Sequence, residues 1–151
     1  MCIRDSAIPI LDISEGDVVF SAAKLFFAYG LGNALTFPMA VGASAILLEG
    51  PPEPEIINKI FLEEKPTLFF GVPTLFAILL ASDNLPTKDE HNIRLCISAG
   101  EPLPSDLLAR WQGTFGVDIL DGLGTTEMLH IFVSNRPDEI TPVSTGRVVP
   151  G

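Results

Sequence analysis

Short apolar runs alternate with helical segments along most of the chain, and this alternation constrains the fold more than any other feature. Five runs are predicted as strands, at residues 18–22, 43–48, 67–71, 94–98 and 117–120. Most are apolar on both faces, which is typical of a parallel sheet covered by helices on both sides. Strand, helix and strand in repetition, with right-handed crossovers, predict an α/β fold: a doubly wound, largely parallel sheet with flanking helices.

The connecting segments carry helical signals. In residues 54–64 the apolar positions fall on one helical face, and the charged positions fall on the other. Pro73 stands where the first turn of a helix tolerates proline, and the predicted helix 105–115 ends against Gly116. These boundaries agree with the strand assignment.

Residues 25–48 contain no charge and are long enough to cross a bilayer as a helix. Glycines, Asn33 and Pro38 interrupt this stretch, so we interpret it as a loop, a short buried helix at 34–41 and a buried strand at 43–48. A membrane-spanning helix is the alternative interpretation. We expect no membrane association.

Charge and cysteine content exclude several classes of protein. Nine Lys and Arg against nineteen Asp and Glu leave a net charge of −10, which disfavours binding to nucleic acid or to an anionic bilayer. The two cysteines, Cys2 and Cys96, form neither a disulfide framework nor a metal-binding spacing. We therefore expect a reducing, cytoplasmic setting.

Both ends of the sequence look cut. Residues 1–7 lack the apolar core of a signal peptide and resemble read-through of adapter sequence, so we set them aside as a doubtful leader. The domain is expected to occupy residues 8–151.

Loops that follow strands should carry the chemistry, because ligands of such sheets bind beyond the carboxyl ends of the strands. Three such loops mix glycine with polar groups, at residues 24–33, 99–104 and 121–130. In the third, the glycines permit close approach of a ligand, Thr125 and Thr126 offer hydroxyl donors to phosphate, and Glu127 offers an oxygen ligand to Mg²⁺. The alternative for the third loop is a glycine-rich turn with a capping threonine and a first-turn glutamate. The alternative for the second loop is a plain turn that opens a helix.

The order of the motifs KLFFAYGLGN, GVPT, SAGEPLP and DGLGTTEMLH adds a family resemblance that runs from residue 17 to residue 151. They resemble the central part of the amino-terminal domain of the adenylate-forming acyl- and aryl-CoA ligases. FFAYG together with TEMLHIF resembles the benzoate-CoA ligase group in particular. The resemblance implies a reaction in which ATP and a carboxylate form an acyl-adenylate and pyrophosphate, after which coenzyme A displaces AMP.

The resemblance also implies site residues. Those expected around the adenine and the α-phosphate are Gly100, Glu101, Pro102, Asp121, Gly122, Leu123, Gly124, Thr125 and Thr126. Thr126 would donate to the phosphate and Glu127 would bind Mg²⁺, so these two are the expected catalytic residues. Many relatives have an aromatic residue where this chain has Leu123, which offers apolar contact without stacking.

The pocket for a small aromatic acid is expected to be lined by Ala28, Tyr29, Ala99, Gly124 and His130. Small side chains there would leave a slot for a flat ring. Both polar residues also have structural explanations: His130 as a capping histidine, and Tyr29 as a packed tyrosine with a paired hydroxyl. GVPT resembles a segment near the pantetheine channel, and by itself is also a strand end followed by a helix that starts with proline.

The family's phosphate loop, ribose-binding aspartate and carboxyl-terminal domain with its catalytic lysine are expected outside this segment. We therefore expect a fragment that does not turn over alone. Two other hypotheses remain open: an adenylating enzyme that loads a carrier protein, and a noncatalytic α/β binding or scaffold domain.

Overall fold

The computed structural model describes residues 3–150, with side chains from residue 7 onward; Cys2 lies outside these residues. Helices and strands follow one another along the chain as α1 (Ile3–Leu11), β1 (Val18–Ser21), α2 (Ala28–Leu31), a π-helical turn (Gly32–Thr36), α3 (Phe37–Val41), β2 (Ser44–Ile46), α4 (Pro54–Glu63), β3 (Leu68–Gly71), α5 (Pro73–Leu80), β4 (Leu95–Ala99), α6 (Ser105–Phe115), β5 (Ile119–Gly124), β6 (Ile131–Ser134) and β7 (Arg147–Val148). Helix α1 thus includes part of the segment 1–7 that was set aside.

The strands form one sheet of seven in the order β2-β1-β3-β4-β5-β6-β7. Strands β1 to β5 pair in parallel, whereas β6 and β7 add an antiparallel edge. Helices cover both faces, so the predicted doubly wound, largely parallel α/β sheet is confirmed.

Two buried clusters lie on opposite faces of the sheet, because successive side chains of a strand point to opposite sides. On one face, Phe20, Phe69 and Cys96 pack with apolar residues of α4, α5 and α6. On the other, Phe70 and Ile97 pack beneath α1 and α3. The double-sided burial explains why these strands are apolar throughout.

The helix boundaries follow from local chemistry. Helices α4 and α5 begin with Pro54 and Pro73, whose missing N–H is tolerated in a first turn. Helix α6 ends at Gly116, which adopts φ 75° and so closes the helix in the left-handed region. The predicted helical starts and stops at Pro73 and Gly116 are confirmed.

The uncharged segment 25–48 folds as a loop, three short helical pieces and a strand. Its helical part begins at Ala28, earlier than the predicted 34–41. Among residues 3–150, no helix has the length and apolar character needed to cross a membrane. The prediction of a buried strand at 43–48 was wrong in burial and length: β2 covers Ser44–Ile46 at the edge of the sheet, where a single neighbour leaves it largely exposed.

The predicted start of the loop at 121–130 was wrong, because strand β5 extends into it. The strand continues to Gly124, because the unpredicted strand β6 pairs with it antiparallel, with Gly122 opposite Ser134 and Leu123 opposite Val133. A bulge separates Leu123 from Gly124. The polar loop is therefore shorter than predicted and begins at Thr125, so its threonines lie directly at the strand end.

Candidate active site

A cavity of about 570 Å³ opens at the carboxyl ends of the parallel strands. Its wall is built by the segments that follow β1, β3, β4 and β5, and includes Ala28, Tyr29, Gly71, Ala99, Gly124 and His130. Most of the lining is apolar, as expected for a small-molecule site with few orienting polar groups.

The second and third predicted loops meet at this edge. Strands β4 and β5 are parallel with Ala99 opposite Gly122, so the chain leaves both strands on the same side. The backbone N–H of Leu103 points at the Asp121 carboxylate, with 3.5 Å between the nitrogen and Oδ2. The second and third loops therefore lie together beyond the carboxyl ends of β4 and β5, as expected for loops that follow parallel strands.

Lys24 and Pro52 also line the cavity. Neither was predicted as a site residue, although Lys24 begins one of the motifs. The Lys24 ammonium donates to the carbonyl oxygens of Leu48, at 2.6 Å, and Gly50. These bonds tie the loop after β1 to the loop after β2, which closes one wall. No local sequence pattern signals this contact, because its partners are backbone carbonyls.

All five residues expected to form the acid pocket line the cavity: Ala28, Tyr29, Ala99, Gly124 and His130. The Tyr29 hydroxyl is within reach of two backbone carbonyl acceptors, Gly71 at 3.3 Å and Ile97 at 3.2 Å. Burial raises the pKa of this hydroxyl well above its usual range, so it stays neutral. Tyr29 therefore has a paired hydroxyl and a ring that forms part of the wall.

His130 is buried at the wall between two aromatic rings. Its ring centroid lies 5.3 Å from that of Tyr29 and 4.7 Å from that of Phe37. Its Nε2 lies 2.8 Å from Oδ1 of Asn33. Burial lowers the pKa of His130 to about 4, opposed by a backbone contact to Tyr29. The imidazole is consequently neutral at physiological pH.

Gly32 and Asn33 support His130 and were not predicted as site residues. A Cβ atom at Gly32 would lie 2.4 Å from Cδ2 of His130, so only glycine leaves room for the ring. Asn33 is fully buried in the π-helical turn. The dipeptide Gly-Asn after FFAYGL was a visible signal, but its partner lies 97 positions along the chain.

The residues expected around a nucleotide divide into two groups. Gly100, Gly124, Thr125 and Thr126 line the cavity, whereas the remaining ones lie beside it: Glu101, Pro102, Asp121, Gly122 and Leu123. Glu101 accepts a hydrogen bond from Thr74 at 3.0 Å. The side chain of Leu123 is about half exposed, consistent with an apolar surface for a ligand.

Asp121 is a buried carboxylate with spare hydrogen-bonding capacity. Its Oδ1 has no hydrogen-bond partner among residues 3–150. Burial raises the pKa of this carboxyl, and the backbone N–H groups of Leu103 and Gly122 oppose the rise. A buried acceptor without a partner is uncommon and calls for a structural or functional reason.

The segment after β5 is a turn rather than the start of a helix. Thr125 Oγ1 accepts a hydrogen bond from the Met128 N–H at 3.2 Å, and the Leu129 N–H donates to the Thr126 carbonyl at 3.0 Å. Glu127 is exposed on this turn, and no cluster of three or more metal-ligating side chains occurs in the described part of the chain. A lone carboxylate fits Mg²⁺ that is shared with phosphate and water, the usual mode for this ion.

Comparison with known proteins shows the family. The model of the AMP-binding enzyme family matches residues 3–151. The chain belongs to this family.

Individual members of the family are similar in sequence and structure. The chain is 57% identical over 143 residues to a benzoate–CoA ligase of Thauera aromatica, covering 95% of the chain and 27% of that protein. It superposes on a benzoate CoA ligase from Burkholderia xenovorans LB400 with a TM-score of 0.95 and 56% identity, covering 99% of the chain and 30% of that protein. It superposes on the anthranilate CoA ligase AuaEII, solved with anthranoyl-AMP, with a TM-score of 0.89 and 41% identity. That superposition covers 95% of the chain and 28% of AuaEII. The chain thus spans less than a third of these relatives.

Proposed function

We propose that this chain is the acid- and nucleotide-binding centre of an aromatic-acid CoA ligase of the benzoate–CoA ligase type. The observation that carries the proposal is the apolar cavity beside the Thr125–Thr126 turn. Ala28, Ala99 and Gly124 leave its walls flat, and a neutral Tyr29 and a neutral His130 complete them. Lys24 is the one charged residue of the lining in the described part of the chain, and its ammonium is bonded to backbone carbonyls. The remaining apolar slot suits an aromatic ring better than a polar chain.

The adjacent polar groups suit the nucleotide. Thr125 and Thr126 bring hydroxyl groups to the cavity, where they would donate to phosphate oxygens. Asp121, buried beside the cavity, would accept from a donor such as an exocyclic amine that reaches past the cavity wall, and the exposed Leu123 offers an apolar surface to a base. In this proposal the backbone around the base and the α-phosphate is shaped by Gly100, Glu101, Pro102, Gly122 and Gly124.

Charge is the main physical obstacle when a carboxylate attacks a polyphosphate. Glu127 would hold Mg²⁺, which supplies positive charge that offsets the charge growing in the transition state. The described residues contribute fixed donors and an apolar pocket that positions the acid and excludes water. His130 lacks positive charge, so it orients the acid by shape rather than by ion pairing.

Coenzyme A is the proposed acceptor in the second step. The GVPT segment and the residue after it line the cavity through Gly71, Val72 and Leu75. This segment is therefore placed to guide a thiol to the acyl group. A carrier protein is the alternative acceptor. We place the parent enzyme in the cytoplasm, where ATP and coenzyme A are available, and we propose that groups outside this chain complete catalysis.

A segment exchange tests the proposal. Residues 3–150 of this chain replace the corresponding segment of the Burkholderia xenovorans ligase, whose similarity supports a compatible fold. CoA-thioester formation is then measured with benzoate, acetate and a long-chain fatty acid, alongside the unaltered ligase as control. We expect benzoate or a small ring-substituted benzoate to be preferred. Preference for either aliphatic acid contradicts the proposed substrate class, and adenylate formation without thioester points to another acceptor.

A further inference from the structure

Three polar side chains from two distant segments meet at the wall of the acid pocket: Tyr29, Asn33 and His130. Oδ1 of Asn33 lies 2.8 Å from Nε2 of His130. An amide oxygen only accepts hydrogen bonds, so a neutral ring in this contact carries its proton on Nε2. The backbone of Tyr29 also contacts the ring, no donor among residues 3–150 bonds to Nδ1, the other ring nitrogen, and the ring lines the cavity.

The direction of the Asn33 amide follows from Tyr29. The Tyr29 hydroxyl donates its single hydrogen to a backbone carbonyl, either Gly71 or Ile97, which leaves its oxygen free to accept. Burial raises the pKa of this hydroxyl, and the neighbouring Asn33 side chain opposes that rise, as a nearby N–H donor does. Nδ2 of Asn33 forms no hydrogen bond with the described residues, and the neighbouring Tyr29 oxygen is an acceptor it can face. An amide with Nδ2 towards Tyr29 presents Oδ1 to His130.

The π-helical turn explains why Asn33 reaches the ring. This wider turn interrupts the α-helical register between α2 and α3, and such turns often occur at functional sites. Gly32 precedes Asn33 and lacks the Cβ atom that would collide with His130. Asn33 therefore enters the interior, where water cannot compete for its hydrogen bond.

We propose that Asn33 is a positioning residue: it holds His130 protonated on Nε2, so that Nδ1 presents a hydrogen-bond acceptor to the acid pocket. The consequence for substrates rests on the proposed function. A ring substituent with an O–H or N–H group can donate to this acceptor, whereas fluorine at the same place cannot. Among ring-substituted benzoates, the site selects hydroxy- or amino-substituted acids at the ring position that meets His130.

The tautomer is measured directly on the 151-residue chain by ¹⁵N NMR of labelled histidine rings. The chain has two histidines, and His130→Phe assigns the signals. We expect His130 to carry its proton on Nε2, with Nδ1 unprotonated, from pH 5 to pH 8. Asn33→Leu should remove this preference and give a mixture of tautomers. A wild-type ring protonated on Nδ1, or positively charged at pH 7, overturns the proposal without reference to any substrate.

Substrate selection is measured in the segment exchange described above. For each ring position, kcat/KM is compared between hydroxybenzoate and fluorobenzoate. We expect about a tenfold preference for the hydroxyl at one position, as one hydrogen bond to a neutral group allows, and its loss in Asn33→Leu. Asn58→Leu is the matched control, because Asn58 is equally buried but bonds to Ser82 in the helical layer on the other face.

The two arms separate the two proposals. Conversion of benzoate with no preference for hydroxyl over fluorine at any position overturns the inference and leaves the proposed function in place. Failure to convert any aromatic acid overturns the proposed function and the substrate selection together. Equal loss of preference in Asn58→Leu shows a general effect of destabilisation and also overturns the positioning role.

Discussion

Acidification should destabilise this protein through His130. Burial lowers the pKa of the ring from its ordinary value of 6.5 to about 4 in the folded chain. Between these two values the unfolded chain binds more protons than the folded chain, so the free energy of unfolding falls as the pH falls. The stabilisation is fully present above pH 6.5 and is lost as the pH drops to 4.

The magnitude follows from the size of the pKa change. At about 1.4 kcal/mol for each tenfold change in proton affinity, the contribution of His130 is about 3 kcal/mol. This is a large part of the roughly 5–15 kcal/mol that stabilises a typical domain. Positive charge on the ring would also lie between Tyr29 and Phe37, and no residue in the described part of the chain forms an ion pair with it.

The assay is urea unfolding of the 151-residue chain, followed by tryptophan fluorescence at several pH values from 7.5 to 4. Trp111 is fully buried, so its emission reports unfolding. His130→Phe removes the titrating group and retains an aromatic ring against Phe37. The difference between the wild-type and variant curves should fall by about 3 kcal/mol across this range.

A second variant accounts for the other histidine. Burial also lowers the pKa of His91, which stacks on Phe115 with 3.9 Å between ring centroids. His91→Phe should therefore remove a separate part of the pH dependence and leave the His130 part unchanged. If wild type and His130→Phe lose stability in parallel on acidification, burial does not hold His130 neutral and the reasoning is refuted.

Three further predictions concern single positions. In the segment exchange, Glu127→Gln should slow adenylate formation by at least about a hundredfold, because one charge-stabilising group contributes several kcal/mol to a transition state. An unchanged pyrophosphate-exchange rate would remove Glu127 from the mechanism. Ala28→Phe should fill the flat slot and lower kcat/KM for benzoate about ten- to a hundredfold while the KM for ATP changes little; equal losses for both substrates would contradict the pocket assignment. Gly32→Ala should lower the free energy of unfolding by about 1–3 kcal/mol, because the added Cβ meets His130. Gly113→Ala, in open space on α6, should instead raise it by up to about 1 kcal/mol. Urea unfolding of both variants decides between overpacking at Gly32 and a general effect of replacing glycine.

Much of the sheet was predictable because its signals are local. The runs around Phe69, Phe70 and Ile97 are apolar on both faces, and this pattern requires a sheet covered on both sides. Proline at Pro73 and glycine at Gly116 mark helix boundaries through backbone chemistry that does not depend on distant contacts. The motif order further indicated which strand ends meet at the site.

The antiparallel edge was not predictable from local patterns. Strand β6 is short and follows a turn in which Leu129 has φ 66°. Its pairing with β5 includes a bulge between Leu123 and Gly124. This pairing extends β5 and shortens the polar loop. Helix α1 and strand β7 were likewise not assigned before the structure.

By itself the sequence determined the class of fold, the strand ends that carry polar groups and the residues expected to line an acid pocket. The first two depend on periodicity and turn chemistry, which act between near neighbours in the chain, whereas the pocket residues are implied by the resemblance of the ordered motifs to the aryl-CoA ligases. The tertiary structure decided what state those residues adopt. His130 is neutral because the fold removes it from water, and it contacts Asn33 because a π-helical turn brings together residues 97 positions apart. Burial and long-range contact have no counterpart in local pattern, so only the folded chain could establish them.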